Sequence, residues 1–489
     1  MPLELGRGNI ASENGDYSDI LITHKNTEEF YRQQGLKRVL TTKYLWALGV
    51  GTVMANSFFG WNYGEAVVNR MSFLLALIII TVFYFTFMLT FAEMATTFPY
   101  AGGPYAFARR AFGKTFGYLT GVTTVLQYVF AAAVVVYSLG QYIHFLVPKM
   151  PALVISVLAL LVLTVIQIIG IREASLIQFI ITGCAVSGFV LFYMGTYHAA
   201  NINFSLPQVN NADVTGIFMS IPFALWFYIG SEGIAMTAEE TKEPDKSIPV
   251  GFLTTTLTMI FVAAGAWFFS TYASMSQEYP ILGSYPLFSV LSNVQQNDKI
   301  LLTVFAILGM SAFLASLQAI INASSRQVFA LSRAGYLPHF LSKIHYRRRT
   351  PYLATVLPGL LAIICMLMIK AKFLITMAGL AANIMYLIIL VAFFKIRLDQ
   401  PDLPQTYTVP LYPFTPTIAL VISLVGLISF TLFYYQAIIA MVFIYGMGVV
   451  LFLCLIRNNI LDDAPEEFSA ESALFQQKVT IDKVKGNHR

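Results

Sequence analysis

Apolar residues in this chain come in long runs rather than in narrow stripes. Runs of 19 or more residues with few charges follow one another along nearly the whole sequence, and as helices each is long enough to cross a hydrocarbon core of roughly 30 Å. Twelve spans are predicted, at 44–68, 72–97, 115–146, 152–170, 175–197, 216–238, 251–275, 300–322, 352–370, 373–395, 415–433 and 437–456. The longest polar segments are the two tails, 1–43 and 457–489. The first tail lacks the short apolar core and cleavage site of a signal peptide, so the first span is expected to be an uncleaved anchor.

Two spans depart from the plain apolar pattern. The first reads ALGVGTVMANSFFGWNYGEAV from Ala47, with Gly49, Gly51, Asn56, Ser57, Gly60, Asn62 and Gly64 crowding what should be a Leu-like helix. The sixth reads FALWFYIGSEGIAMTAEETKEP from Phe223, with Gly230, Ser231, Glu232 and Gly233 near its centre. A carboxylate at that depth costs roughly 2.5 to 3.5 kcal/mol on insertion scales, so it needs a use or a partner. Both spans are candidate broken helices.

Interrupted spans at matching places in two halves point to a transporter site built on inverted repeats. Five spans separate the breaks, so spans one to five (44–197) and six to ten (215–395) are expected to be the repeats. An odd number of spans inverts the second relative to the first. The segment 198–214 joins the repeats on the extracellular side, and two further spans lie within 415–456. Unwound turns free backbone N–H and C=O groups that lipid cannot satisfy but a polar substrate can. Half-helix N-termini suit a carboxylate and C-termini an ammonium, so a zwitterion or small amine is the expected ligand.

Composition narrows the class. Of 489 residues 57% are hydrophobic and 11% charged, against about 25% charged in an ordinary soluble domain. The formal net charge of +5 is a topology signal, because no basic soluble domain is present to bind nucleic acid. Loops on the side of the tails hold 14 Lys and Arg, including Arg326, Arg333 and the run Arg347 to Arg349, against 5 in the opposite loops. That bias predicts cytoplasmic tails on a multi-pass cell-membrane protein. Cys184, Cys365 and Cys454 fall inside spans, with neither disulfide nor metal-ligand spacing, and read as buried thiols. No metal or cofactor is expected.

Four segments resemble one known family, the amino acid-polyamine-organocation transporters. They are FAEMATTFPYAGGPYAFARRAFG (Phe91 to Gly113), AEETKEPDKSIPVG from Ala238, NASSRQVFALSRAGYLPHFLSKIHYRRRTP from Asn322, and PDLPQTYTVPLYP from Pro401. The resemblance implies an all-α permease of about twelve helices with the leucine-transporter-like five-plus-five inverted repeat, broken helices 1 and 6, and two added helices. Carried onto this chain, Met54, Ala55, Asn56, Ser57 and Phe58 would supply the helix 1 break. Trp226, Phe227, Tyr228, Ile229 and Gly230 would supply the helix 6 break, and Glu232 matches an acidic residue common in the family.

Where many members carry Gly-Ser-Gly, this chain has Ala55-Asn56-Ser57, which restricts close backbone approach to a substrate carboxylate. FFGWNYG from Phe58 and IPFALWFYIGSEGIAMTAEE from Ile221 also resemble the ethanolamine permease branch. The expected activity is import or exchange of amino acids by alternating access, with ethanolamine or another small amine or polyamine as the alternative. Glu232 is the candidate for proton coupling or for answering a substrate ammonium. Some members carry a lysine in helix 5 at an ion position, but 175–197 contains no Lys or Arg, which leaves H+ and Na+ both open as coupling ions.

Glu93, Arg109 and Arg110 lie at and beyond the cytoplasmic end of span two, where ion pairs can latch an inner gate. Glu239 and Glu240 read as interfacial. An intramembrane enzyme would need paired acids, a His-Ser constellation or metal ligands within the spans, and only Glu232 lies deep. A nutrient sensor on a permease fold would be expected to carry a large soluble tail.

Overall fold

The computed structural model describes residues 36–199, 212–276, 285–296, 298–345, 347–401, 403, 405–457 and 460. The expected extracellular segment 198–214 and both expected tails therefore fall largely outside the described residues. Helix α1 (Thr42–Phe58) is followed by the single turn α2 (Asn62–Glu65), then α3 (Arg70–Thr97), α4 (Pro104–Phe112) and α5 (Lys114–Leu146). Next come α6 (Ala152–Ile169), α7 (Ile171–Ala199) and α8 (Val214–Trp226), a 3₁₀ segment (Ser231–Glu240), α9 (Pro244–Ser276) and α10 (Pro286–Val294). The chain continues through α11 (Lys299–Arg333), α12 (Tyr352–Met368), α13 (Ala371–Asp399), α14 (Phe414–Phe433) and α15 (Tyr435–Leu451).

Among the described residues, ten helical segments are long and apolar enough to cross a membrane, counting α8 with its 3₁₀ continuation as one. The first and ninth expected spans are α1 and α12, each of 17 residues. Every expected span is thus helical, and the chain is an all-α multi-pass membrane protein. Side-chain oxygens fix several starts: Asn69 accepts from Ser72 N at α3, Asp213 from Thr215 N and Gly216 N at α8, and Asp298 from Leu301 N at α11. Each satisfies an N–H that the first helical turn leaves without a partner.

The layering follows from which faces are apolar. On α6, Leu158, Leu161, Val162 and Val165 form an exposed stripe with relative exposures of 50 to 57%, while Ser156, Leu160, Leu163 and Gln167 face inward. An exposed apolar stripe beside a buried, partly polar one fits a helix with lipid on one side. Helices α14 and α15 are similarly peripheral. The centre is built by α1, α8 with its 3₁₀ segment, α5, α11 and α13, which pack on one another.

Two expectations are corrected. The eighth span runs on beyond residue 322 as α11, so Arg326 and Arg333 are buried helix residues and not loop charges. Cys184 and Cys365 are half-buried and Cys454 is exposed on the apolar surface, because their helices are peripheral or turn that side outward.

Candidate functional site

Helix α1 stays helical through Phe58, so its break falls at Phe59–Trp61, one turn later than expected. The reason is local. Gly60 has φ +105°, a left-handed conformation that favours glycine, and Gly60 N–H donates to Asn62 Oδ1 at 3.1 Å. Two carbonyls exposed by the helix end find indole donors: Trp61 Nε1 donates to Ser57 O at 2.9 Å and Trp226 Nε1 to Phe59 O at 2.8 Å. One turn earlier, Ser316 of α11 inserts its hydroxyl into α1. It accepts from Ala55 N at 2.8 Å and donates to Gly51 O at 2.9 Å, two groups that an uninterrupted helix would pair with each other.

The second break lies where expected. Helix α8 ends at Trp226, Phe227 to Gly230 form a turn, and Gly230 adopts φ +111° before the 3₁₀ segment. Asn56 Nδ2 donates to Ile229 O at 3.1 Å and so joins the two breaks directly. All the expected site residues, Ala55 to Phe58, Trp226 to Gly230 and Glu232, are buried, but they do not all face one point. The Phe58 ring packs on Phe189 and Phe305 at 4.8 and 5.7 Å. Phe227 stacks on Trp61 at 5.6 Å and Tyr228 on Tyr84 at 5.3 Å.

Gly230→Ala is expected to destabilise the fold and abolish transport. A left-handed Ala costs about 1–2 kcal/mol, and its Cβ would lie 2.4 Å from Thr52 Cγ2. A thermal midpoint equal to that of the wild type would contradict this.

Glu232 is fully buried and its carboxylate accepts from five donors. Oε2 receives Tyr84 Oη at 2.6 Å, Gly230 N at 3.0 Å and Tyr386 Oη at 3.2 Å. Oε1 receives Gln127 Nε2, and Tyr128 Oη at 3.5 Å. Tyr84 and Tyr386 also contact each other at 3.0 Å, and Tyr128 Oη donates to Gly230 O at 3.1 Å. The carboxylate therefore holds the left-handed turn and gathers side chains from α3, α5 and α13 around it. Two buried amide oxygens, Gln127 Oε1 on a partner of Glu232 and Asn56 Oδ1 at the junction with Ile229, have no hydrogen-bond partner. Both are acceptors, which suits an ammonium donor.

The family model described as "Amino acid permease" matches residues 40–455, which includes both breaks and the whole Glu232 network. The chain belongs to the amino acid permease family. Among its relatives is a branched-chain amino acid permease of Lactococcus lactis, 27% identical over 441 residues, covering 82% of this chain and 90% of that one. A methylthioribose transporter of Bacillus subtilis is 24% identical over 422 residues (79% and 87%). The human cystine/glutamate transporter is 23% identical over 379 residues (71% and 74%).

At the end of its core where the chain enters α1, the permease holds two buried ion pairs. Arg326 Nε and Nη2 clasp the Glu240 carboxylate at 3.1 and 3.0 Å, both side chains with no exposure. Arg333 Nη1 and Nη2 clasp Glu239 at 3.0 and 3.1 Å, and Glu239 Oε2 also accepts from Ala101 N. The interfacial reading of Glu239 and Glu240 is thereby corrected: each is paired, which is what lets a charge be buried. The Glu240 carbonyl accepts from Val39 N and Leu40 N, both at 2.9 Å, and Lys242 N donates to Leu40 O, so the segment before α1 is zipped to the 3₁₀ exit.

Of the expected gate residues, Glu93 does not meet Arg109 or Arg110. It accepts from Arg397 at 2.9 and 2.7 Å and from Val409 N at 2.6 Å. Arg110 donates to Gln400 Oε1, and the Arg109 guanidinium lies 5.7 Å from the Tyr336 ring. Sequence reasoning missed Tyr84, Gln127, Tyr128, Tyr386 and Ser316. A usable signal existed for Gln127, an amide deep in an otherwise apolar span. Another existed for Arg326 and Arg333, seven residues apart on one helical face opposite two adjacent acids.

Proposed function

We propose that this chain is a secondary transporter that imports or exchanges amino acids across the cell membrane by alternating access. The substrate is held between the breaks in α1 and after α8. The observation carrying this reading is the junction Asn56 to Ile229, where two interrupted helices meet beside a buried carboxylate and two unpartnered amide oxygens. The substrate ammonium is answered by those oxygens and by carbonyls of the 226–230 turn. Residues 44–197 and 215–395 act as the inverted repeats, and both tails face the cytoplasm. Glu232 is the candidate carrier of a coupling proton, with Na+ as the other ion to be tested. The relatives named above transport branched-chain amino acids, methylthioribose and cystine with glutamate, so family membership alone leaves the substrate to experiment.

One observation favours a second reading, ethanolamine or another small amine. Residues 55–57 of α1 are helical, and the Ala55 N–H is already taken by Ser316, so the amides expected to meet a substrate carboxylate are engaged. Uptake into proteoliposomes of a panel of amino acids and ethanolamine, under pH and sodium gradients applied separately, distinguishes these. Amino acid uptake or exchange is the expected result, saturation by ethanolamine alone would support the second reading, and no flux of any of them would end both.

A further inference from the structure

A second polar cluster lies just past the α1 break, toward the face opposite the chain's tails. Glu65, the last residue of α2, is a buried carboxylate with side-chain exposure of 6%. Its Oε1 accepts from Thr271 Oγ1 of α9 at 3.0 Å, while its Oε2 is buried and has no partner. Arg70 comes no closer to Oε1 than 3.8 Å with its Nε, beyond hydrogen-bond reach, and its Nη2 is held by Ser274 Oγ at 3.0 Å. Arg70 is also the exposed member, with 35% side-chain exposure against Glu65 beneath it.

A carboxylate has about four lone-pair sites, and a buried one is ordinarily paired or hydrogen-bonded on both oxygens. Glu65 is half provided for. The same helix carries complementary vacancies: Trp267 Nε1 and Ser270 Oγ are both buried and unpartnered. Trp267, Ser270, Thr271 and Ser274 follow helical spacing i, i+3, i+4, i+7, so they share one face of α9. Since α9 runs from the tail-bearing face outward, Ser270 and Trp267 lie progressively deeper than Thr271. The line leads from an acceptor at the rim to donors further in.

We infer that Glu65 and this face of α9 form an outer receiving site for the substrate, in which Glu65 Oε2 takes the ammonium and Ser270 and Trp267 take a carboxylate. Arg70 guards the mouth: it is hydrogen-bonded to Ser274 and ion-paired with Glu65 only at 3.8 Å, so an arriving ammonium competes with a long contact. The site is separate from the breaks: it stands beyond the Gly60 turn and shares no residue with the Asn56 to Ile229 junction. It rests on the proposed transport of an amine-bearing substrate.

The test compares Glu65→Gln, Glu65→Asp and Ser270→Ala with the wild type in proteoliposomes, reading initial uptake against external concentration for whichever panel compound is moved. A second readout needs no transport. Ser270→Cys, in a background where Cys184, Cys365 and Cys454 are serine, is labelled with a membrane-impermeant thiol reagent with and without L-leucine or ethanolamine. Glu65→Gln is expected to raise apparent KM about tenfold, the size of one lost charge-assisted hydrogen bond, with maximal rate little changed.

Glu65→Asp should recover part of that affinity, and the amine compound should slow labelling of Ser270→Cys. An unchanged KM in Glu65→Gln overturns the outer site, as does labelling that neither compound slows, and both leave the transport reading standing. If Glu65→Gln does not assemble, Ser270→Ala carries the KM prediction for amino acids without removing a charge. If the wild type moves nothing in the panel, the transport reading fails and the labelling result alone decides the outer site.

Discussion

Glu240→Gln is expected to cost this permease more stability than any other conservative change on its tail-bearing face. The substitution preserves shape but leaves Arg326, which has no exposure, with a neutral amide where a carboxylate clasped two of its nitrogens. Removing one member of a buried pair typically costs about 3–5 kcal/mol, because the remaining charge is stranded. The double change Glu240→Met with Arg326→Met strands nothing and should regain most of the loss. Thermal unfolding in detergent, followed by tryptophan fluorescence, measures both. A single variant as stable as the wild type would show that water reaches Arg326 and that the pair does not close this end. Transport should also separate the two: the double variant is expected to be stable yet slower in exchange, having lost the contact that holds the 3₁₀ exit against α11.

The second large effect is expected at Glu232. In Glu232→Gln an amide nitrogen replaces one acceptor oxygen, facing either Gly230 N–H with the Tyr84 and Tyr386 hydroxyls or the Gln127 amide and Tyr128 hydroxyl. Tyrosine hydroxyls can turn to accept, but Gly230 N–H cannot, and a stranded buried donor costs about 1–3 kcal/mol. Transport should fall by roughly ten- to a hundredfold by the same measure. Tyr84→Phe should fall less, since four donors remain. The pH response then assigns the role. If Glu232 carries a coupling proton, residual transport in Glu232→Gln no longer responds to a pH gradient. If the residual transport responds as the wild type does, the carboxylate only braces the Gly230 turn.

Much of the architecture was legible because hydrocarbon imposes length and apolarity on anything that crosses it. The second break was legible for a related reason: Gly230, Ser231 and Glu232 together cannot sit in an ordinary membrane helix. Side-chain meetings were not legible. Tyr84 and Tyr386 look like any aromatic residue in a span, and only the fold turns their hydroxyls onto Glu232. Hydropathy ended the eighth span before Arg326 because it counts each charge singly, whereas Arg326 and Arg333 enter the protein with Glu240 and Glu239 as neutral pairs. The break in α1 was misplaced by a turn for the converse reason. Asn56 and Ser57 looked like part of an interruption, but the Asn56 amide donates to Ile229 O and the Ser57 carbonyl accepts from Trp61 within a continuous helix, and the turn waits for Gly60.

The serine inserted into α1 has a mechanical consequence. The Ser316 hydroxyl bonds both the Ala55 N–H and the Gly51 carbonyl, and a side chain inserted into the hydrogen-bond ladder is one of the places where helices bend. The compliant point of α1 therefore lies one turn before its visible break. Thr42 to Val50 would tilt as a short rod from that pivot while Asn56 to Phe58 stay anchored to the second break, so the end of α1 nearer the first tail would swing without dismantling the Asn56 to Ile229 junction.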